Sequence, residues 1–174
     1  MNFIHCPMVI ADAENIIFTT AADFISNSNQ PVFLTGKAGT GKTTFLKYIK
    51  EHCKKNSVIV APTGVAAINA GGTTIHSFFQ LPFAPFVPVK KGWNKGETVD
   101  KHRLLSKLRL NAERKEIMQQ MELLIIDEIS MVRCDVLDAI DTVLRHTRNN
   151  PGKAHHRIWA LLKLSGSGGN IWLM

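Results

Sequence analysis

Between Val32 and Thr44 the chain reads Val-Phe-Leu-Thr-Gly-Lys-Ala-Gly-Thr-Gly-Lys-Thr-Thr, a stretch that leaves the polypeptide little choice of local structure. A short apolar run, Val32 to Leu34, meets a loop with glycine at 36, 39 and 41, and a helix-forming segment begins at Thr43. Glycine at these positions lets the backbone fold tightly, so that its N–H groups face an anion. The positive end of the following helix adds attraction for the same anion. The spacing Gly36-x-x-x-x-Gly41-Lys42-Thr43 is the P-loop pattern in its strand–loop–helix setting. Gly36, Ala38, Gly39, Thr40 and Gly41 would cradle nucleotide phosphates, with Lys42, Thr43 and Thr44 at the helix start. Lys42 would bring a compact charge to the β- and γ-phosphates, and the Thr43 hydroxyl would ligate Mg²⁺. The competing reading is a glycine-rich turn with an incidental lysine, which needs every position of the pattern to fall in register by chance.

A length of 174 residues suits one domain with a core large enough to fold alone. Apolar residues at 45% and charged residues at 20% are an ordinary globular composition. The net charge of +7 is compatible with an anionic partner, without choosing nucleic acid over a merely soluble basic protein. Cys6, Cys53 and Cys134 are scattered and odd in number, which argues against a zinc site or a disulfide framework. A reduced, intracellular protein of bacterial cytoplasmic type is expected. No run of 18 apolar residues is present, so no membrane span is expected.

Along the chain, Ile16, Ile17, Ala21, Phe24 and Ile25 predict a helix over 12–26 with those residues inward. A second helix is expected from Thr43 to Lys54, burying Phe45, Leu46 and Ile49. The β-branched run Ser57–Ala61 reads as a buried parallel strand, and Val65–Asn69 as a short helix. From Leu81 to Gly96, Pro82, Pro85, Pro88, three lysines and Trp93 follow no period, which predicts an irregular excursion. The stretch from Asp100 to Met121 reads as one strongly basic helix carrying Lys101, Arg103, Lys107, Arg109, Arg114 and Lys115. It is either a solvated face or a nucleic-acid contact. The next helix runs from Asp135, its expected N-cap, to Arg148, with Val136, Leu137, Ile140, Val143 and Leu144 on one face. Helices alternating with short apolar strands predict an α/β fold, a parallel sheet flanked by helices.

Before that last helix, four consecutive aliphatics, Leu123 to Ile126, lead into Asp127-Glu128. This reads as a buried central strand delivering two acids at its C-terminal edge, where ligands bind in open α/β sheets. Asp127 suits a carboxylate holding the Mg²⁺ that bridges β- and γ-phosphates. Glu128 suits a general base polarising the attacking water. With Lys42 they form a candidate catalytic set for NTP hydrolysis.

Four segments occur in order: Phe33–Thr43, Ala61-Pro62-Thr63-Gly64-Val65-Ala66-Ala67, Gly72-Thr73-Thr74-Ile75-His76-Ser77-Phe78-Phe79, and Leu124-Ile125-Ile126-Asp127-Glu128-Ile129-Ser130-Met131-Val132. Together they closely resemble the N-terminal motor domain of the Pif (petite integration frequency) family of superfamily 1 DNA helicases, over about residues 15–150. The resemblance implies a RecA-like fold, ATP as fuel, and 5′-to-3′ translocation on single-stranded DNA. By position it implies that Pro62, Thr63, Gly64 and Ala67 meet the single-strand backbone, and that Thr73, His76, Ser77 and Phe78 lie beside the DNA path. Hydroxyls and helix-start N–H groups hold phosphates, and an aromatic offers a stacking face. For Phe78 and Phe79, core packing is the alternative. A non-hydrolysing nucleotide or nucleic-acid binding module working through the basic helix is the alternative for the whole chain. A loader or initiator ATPase fits less well, because a generic NTPase core has no use for Thr73–Phe79.

After residues 149–151 the resemblance stops. Family members continue with a strand ending in Gly-Asp and a Gln that senses the γ-phosphate, and a second RecA-like domain supplies arginine fingers; no Gly-Asp-x-x-Gln-Leu follows here. Residues 1–150 are therefore expected to be the RecA-like domain, and 151–174 a frameshifted or truncated tail foreign to the fold, with a divergent genuine terminus as the alternative. The expected product is a monomer lacking the second RecA-like domain, hydrolysing ATP very slowly alone. The missing strand would leave a gap between the P-loop strand and the Asp-Glu strand. Ile158–Leu164, apolar and of strand length, is expected to pack there in extended or helical form. His155-His156 lacks the second ligand pair a metal site needs.

Overall fold

The computed structural model describes residues 16–37, 39–88 and 98–148, and the backbone of 159–164 and 172–173. In chain order the elements are α1 (Ile16–Asn27), β1 (Val32–Gly36), α2 (Lys42–His52), β2 (Ser57–Ala61), α3 (Gly64–Ala70), β3 (Thr73–Thr74), α4 (Ile75–Phe79), β4 (Phe86–Val87) and β5 (Val99–Asp100). They continue with α5 (Lys101–Lys107), α6 (Ala112–Gln120), β6 (Leu123–Ile126), a 3₁₀ turn (Ile129–Met131), α7 (Cys134–Thr147), β7 (Trp159–Leu164) and β8 (Trp172–Leu173). Six strands form one sheet in the order β3-β2-β6-β7-β1-β8. All neighbours in it are parallel except β8, which pairs antiparallel with β1.

The unbroken aliphatic run of β6 follows from burial on both faces. Leu123 and Ile125 join the cluster that holds Ala21 and Ile25 of α1 and Phe45, Leu46 and Ile49 of α2. Leu124 and Ile126 point the other way, into a second cluster with Phe79, Leu104, Met118, Ile140 and Val143. Strand alternation thus feeds two cores from one sequence run.

β7 lies between the P-loop strand and the Asp-Glu strand, the gap in which Ile158–Leu164 was expected to pack in extended or helical form. It pairs with β1 from Val32↔Ala160 to Gly36↔Leu164, and with β6 from Leu124↔Trp159 to Ile126↔Leu161. It does so as an interior parallel strand, and its backbone takes up ladder positions that would otherwise be orphaned. His155, His156 and Trp93 lie outside the described residues.

Four sequence expectations need correction. In α1, Ile16, Ile17 and Phe24 are exposed, and Ala21, Ala22 and Ile25 form the buried face. Phe18 packs edge-on against Phe45 at 4.9 Å between ring centroids, and this contact helps set the rotation of the helix. The basic helix is two helices: α6 restarts at the N-cap Asn111, whose Oδ1 accepts the Arg114 N–H at 2.9 Å. Leu108 and Leu110 in the break pack against the second core. Asp135 is not an N-cap. It lies in the first turn of α7, where Oδ2 accepts the Phe86 N–H at 3.1 Å and Oδ1 accepts Arg133 Nε–H at 2.9 Å. Burial pushes its pKa up, but the Phe86 N–H and the Arg133 guanidinium outweigh this and hold it below the ordinary carboxylate range. The irregular excursion, finally, contains β4, which pairs in parallel with β5 as a separate two-stranded ribbon.

Gly72 connects α3 to β3 where the backbone passes against β2. A Cβ there would lie 2.8 Å from the Ile59 carbonyl carbon and 2.9 Å from the Ile59 Cβ. Gly72→Ala is expected to destabilise the fold by about 1–3 kcal/mol through overpacking. The check is a lowered urea midpoint at unchanged m-value.

Candidate active site

Because β1, β6 and β2 run parallel, their C-terminal ends meet at one sheet edge. β1 ends at Gly36 and opens the glycine loop, β6 ends at Asp127-Glu128, and β2 ends at Pro62-Thr63. The Asp127 N–H donates to the Val60 carbonyl at 2.9 Å, extending the β2–β6 ladder one step towards the acids.

Gly39 and Gly41 have φ of +81° and +83°, in the left-handed region that glycine enters at low cost and most other residues do not. Gly41 is the last residue before α2, and no side chain caps the first turn of that helix. Thr43 and Thr44 stand exposed in that turn, where an incoming anion would meet free N–H groups and the helix dipole. Ala38 lies outside the described residues. Thr40 Oγ1 donates to the Lys37 carbonyl at 2.9 Å.

Lys42 is 5% exposed, and its Nζ donates to the Gly36 carbonyl at 2.7 Å, to the Lys37 carbonyl, and to Thr40 Oγ1 at 3.2 Å. All three acceptors are neutral oxygens, whereas a buried charge ordinarily has an ionic partner. Burial lowers the pKa of Lys42, opposed by the charge of Asp127. Asp127 is 8% exposed, and burial raises its pKa, opposed by the Glu128 N–H on its Oδ1 at 2.9 Å and by Lys42. A phosphate beside Lys42 and a hard cation beside Asp127 would each favour the charged form. A carboxylate oxygen and a threonine hydroxyl are the donor chemistry Mg²⁺ takes when phosphates complete its shell. The residues present therefore fit a magnesium nucleotide. Glu128, half-buried, has φ of +51° without being glycine, a conformation that costs energy and is concentrated at functional sites.

On the β2 side, Thr63 caps α3, its Oγ1 accepting the Ala66 N–H at 3.2 Å. Thr74 caps α4 in the same way through the Ser77 N–H, at 3.3 Å. Pro62, Thr63, Thr73 and His76 are half-buried, and Gly64 and Ser77 are exposed, so all six can be reached by a ligand. Two expected DNA contacts are not presented. The Ala67 side chain is 3% exposed and packs with Ala61 and Ala66. Phe78 is 7% exposed and packs edge-on against the buried Phe79 at 4.8 Å, so core packing wins for both aromatics. Two further residues lie beside this motif: Phe83, which sequence reasoning passed over, and Arg114, which it placed only in the basic stretch. Phe83 stacks on His76, and Arg114 Nη1 donates to the Ser77 carbonyl at 3.0 Å. Phe83 carried no periodic or motif signal, and the pairing of Arg114 with Ser77 crosses 37 positions of sequence.

Comparison with known proteins agrees with this arrangement. Residues 9–157 match the model of the PIF1-like helicase family. The chain is 33% identical over 131 residues to the ATP-dependent DNA helicase PIF1 of Saccharomyces cerevisiae, covering 72% of this chain and 14% of that protein. It is 37% identical over 131 residues to the human ATP-dependent DNA helicase PIF1, covering 68% of this chain and 16% of that one. Among solved structures, Bacteroides sp Pif1 in complex with ADP-AlF4 superposes with a TM-score of 0.69 at 41% identity, covering 84% of this chain and 31% of that one. Bacteroides Pif1 bound to ssDNA gives a TM-score of 0.68 at 39% identity, covering 87% and 32%. The chain thus spans a minor part of the length of each of these relatives. The strand order, the loop–acid arrangement and the family match lead to one conclusion: this chain belongs to the PIF1-like helicase family.

Proposed function

We propose that the chain is the nucleotide-binding motor domain of an ATP-dependent DNA helicase, in which ATP hydrolysis drives movement along single-stranded DNA. The observation that carries this reading is the buried Lys42 ammonium, folded inside a glycine loop at the same sheet edge as Asp127 and Glu128. The ssDNA-bound and ADP-AlF4-bound Bacteroides relatives support the two ligand classes.

The residue roles follow from placement. Loop and helix-start N–H groups from Gly39 to Thr44 bind the phosphates, with Lys42 turning from loop carbonyls to a phosphate oxygen. Thr43 Oγ1 and Asp127 would hold Mg²⁺, which when bound neutralises charge between the β- and γ-phosphates. Glu128, fixed by its left-handed backbone, orients a water and accepts its proton. Pro62, Thr63, Gly64, Thr73, His76 and Ser77 line the strand path. The 5′-to-3′ direction rests on the family resemblance. The rival reading, a basic-helix binding module, loses ground because α5 and α6 are separate helices and Arg114 is engaged with Ser77.

Glu128→Gln tests the reading. Single-turnover ATP hydrolysis is expected to fall by about 10²–10⁴-fold, the span of a positioned general base, with Mg-ATP affinity retained. Unchanged hydrolysis in that variant, with and without oligo(dT), would remove Glu128 from the mechanism. DNA affinity indifferent to nucleotide would favour the binding module.

A further inference from the structure

With Phe78 in the core, the strand path lacks the aromatic face that the sequence assigned to it, and the structure offers another. Phe83 is 93% exposed, far more than any other aromatic among the described residues whose exposure is known. One face of its ring stacks on His76, with centroids 4.8 Å apart and planes inclined by 14°. The other face is open to solvent. The tip that carries it is stiff: Pro82 and Pro85 fix backbone dihedrals on either side, and Leu81 and Phe86, at 7% and 6% exposure, anchor both ends in the core. Phe83 and His76 also border a 360 Å³ hollow that they share with Pro62, Thr74 and Ser77.

We propose that Phe83, backed by His76, is a stacking platform for a nucleobase of the bound single strand, an assignment that rests on the strand path argued above. A third ring laid on the open face would continue the His76–Phe83 stack. Ser77 borders the same hollow and is exposed, so its hydroxyl is available to the sugar-phosphate backbone of a strand stacked there. The ring is held at a fixed tilt before the base arrives, so little side-chain entropy is lost on binding. Every base has a π-face, so the platform is indifferent to sequence, as translocation requires.

The test measures binding of the whole chain to labelled oligo(dT) and to an abasic oligomer of equal length, at one low salt concentration. Phe83→Ala is expected to weaken oligo(dT) binding about tenfold, within the range of one lost base–aromatic stack, and to leave the abasic oligomer unaffected. Phe83→Trp should retain oligo(dT) affinity, and its indole fluorescence should be quenched by oligo(dT) and not by the abasic strand. Full oligo(dT) affinity in Phe83→Ala, with both oligomers still bound, would overturn the platform and leave the strand path standing. An equal loss on both oligomers would assign Phe83 to backbone contact and overturn the stack. Failure of the unaltered protein to bind either oligomer would overturn both. Because Phe83 is exposed, the alanine variant should unfold at the same urea midpoint as the parent.

Discussion

Lys42→Ala is expected to weaken Mg-ATP binding by about 10–100-fold, measured by calorimetric titration. The ammonium lies within the loop on neutral oxygens, and moving it to a phosphate oxygen gains a charge-assisted bond of about 1.5–3 kcal/mol. At 1.4 kcal/mol per decade this is the stated loss. The same substitution should cost the unliganded protein little stability. It strands the Gly36 and Lys37 carbonyls, which can bind water, and it removes a cation whose burial is itself unfavourable. Loss of nucleotide affinity with an unchanged urea midpoint is thus the signature of a binding role. An equal affinity would place the phosphates elsewhere, and a collapse of stability would make Lys42 a scaffold residue.

Phe79→Ala is expected to have the largest effect on the fold, about 3–5 kcal/mol, from the loss of a large buried ring and the cavity it leaves. Phe79 is 0% exposed at the end of α4, in the cluster that also holds Leu124 and Ile126 of β6. Against a total stability of about 5–15 kcal/mol, this loss threatens folding outright. Urea denaturation compared with Phe83→Ala separates the buried aromatic that ends α4 from the exposed one in the loop after it. A Phe79→Ala midpoint no lower than that of Phe83→Ala would contradict the assignment of Phe79 to the core. Substitution at Phe78 should resemble Phe79, because its ring is nearly as buried.

The parts legible in the sequence were those fixed by local chemistry. Gly39 and Gly41 were readable because their positive φ strongly favours glycine, and β6 because four aliphatics before two acids suit a strand buried on both faces. The bounds of β2 were met as expected from its β-branched run. What was not legible depended on partners distant in sequence. The turn of α1 follows contacts with Phe45, a residue of the next helix. Asp135 would have served as a cap on local grounds, but the backbone N–H of Phe86 claims it. The break before α6 had a readable signal in Asn111, a favoured N-cap three residues before Arg114, which the run of basic residues obscured. The β4–β5 ribbon joins two pairs of residues with no shared period. Phe78 and Phe83 differ by only a few positions in sequence, yet the helical turn of α4 sends one ring inward and the proline-flanked loop holds the other out.

The position of β7 has a consequence for the order in which the molecule can be assembled during its synthesis. Both strands that pair with β1, β7 and β8, come from beyond residue 158, while β2, β3 and β6 can pair with one another earlier. At 5–20 residues per second, roughly 6–25 s separate the making of Gly36 from that of Trp159. Through that interval Val32-Phe33-Leu34 is an unpaired apolar edge, and the glycine loop has no sheet to stand on. Closing so long a connection is slow, because loop entropy must be overcome before the contacts form. Nascent chains should therefore acquire the acid-bearing half of the sheet first and the nucleotide loop last, leaving β1 as the segment most in need of a chaperone's protection.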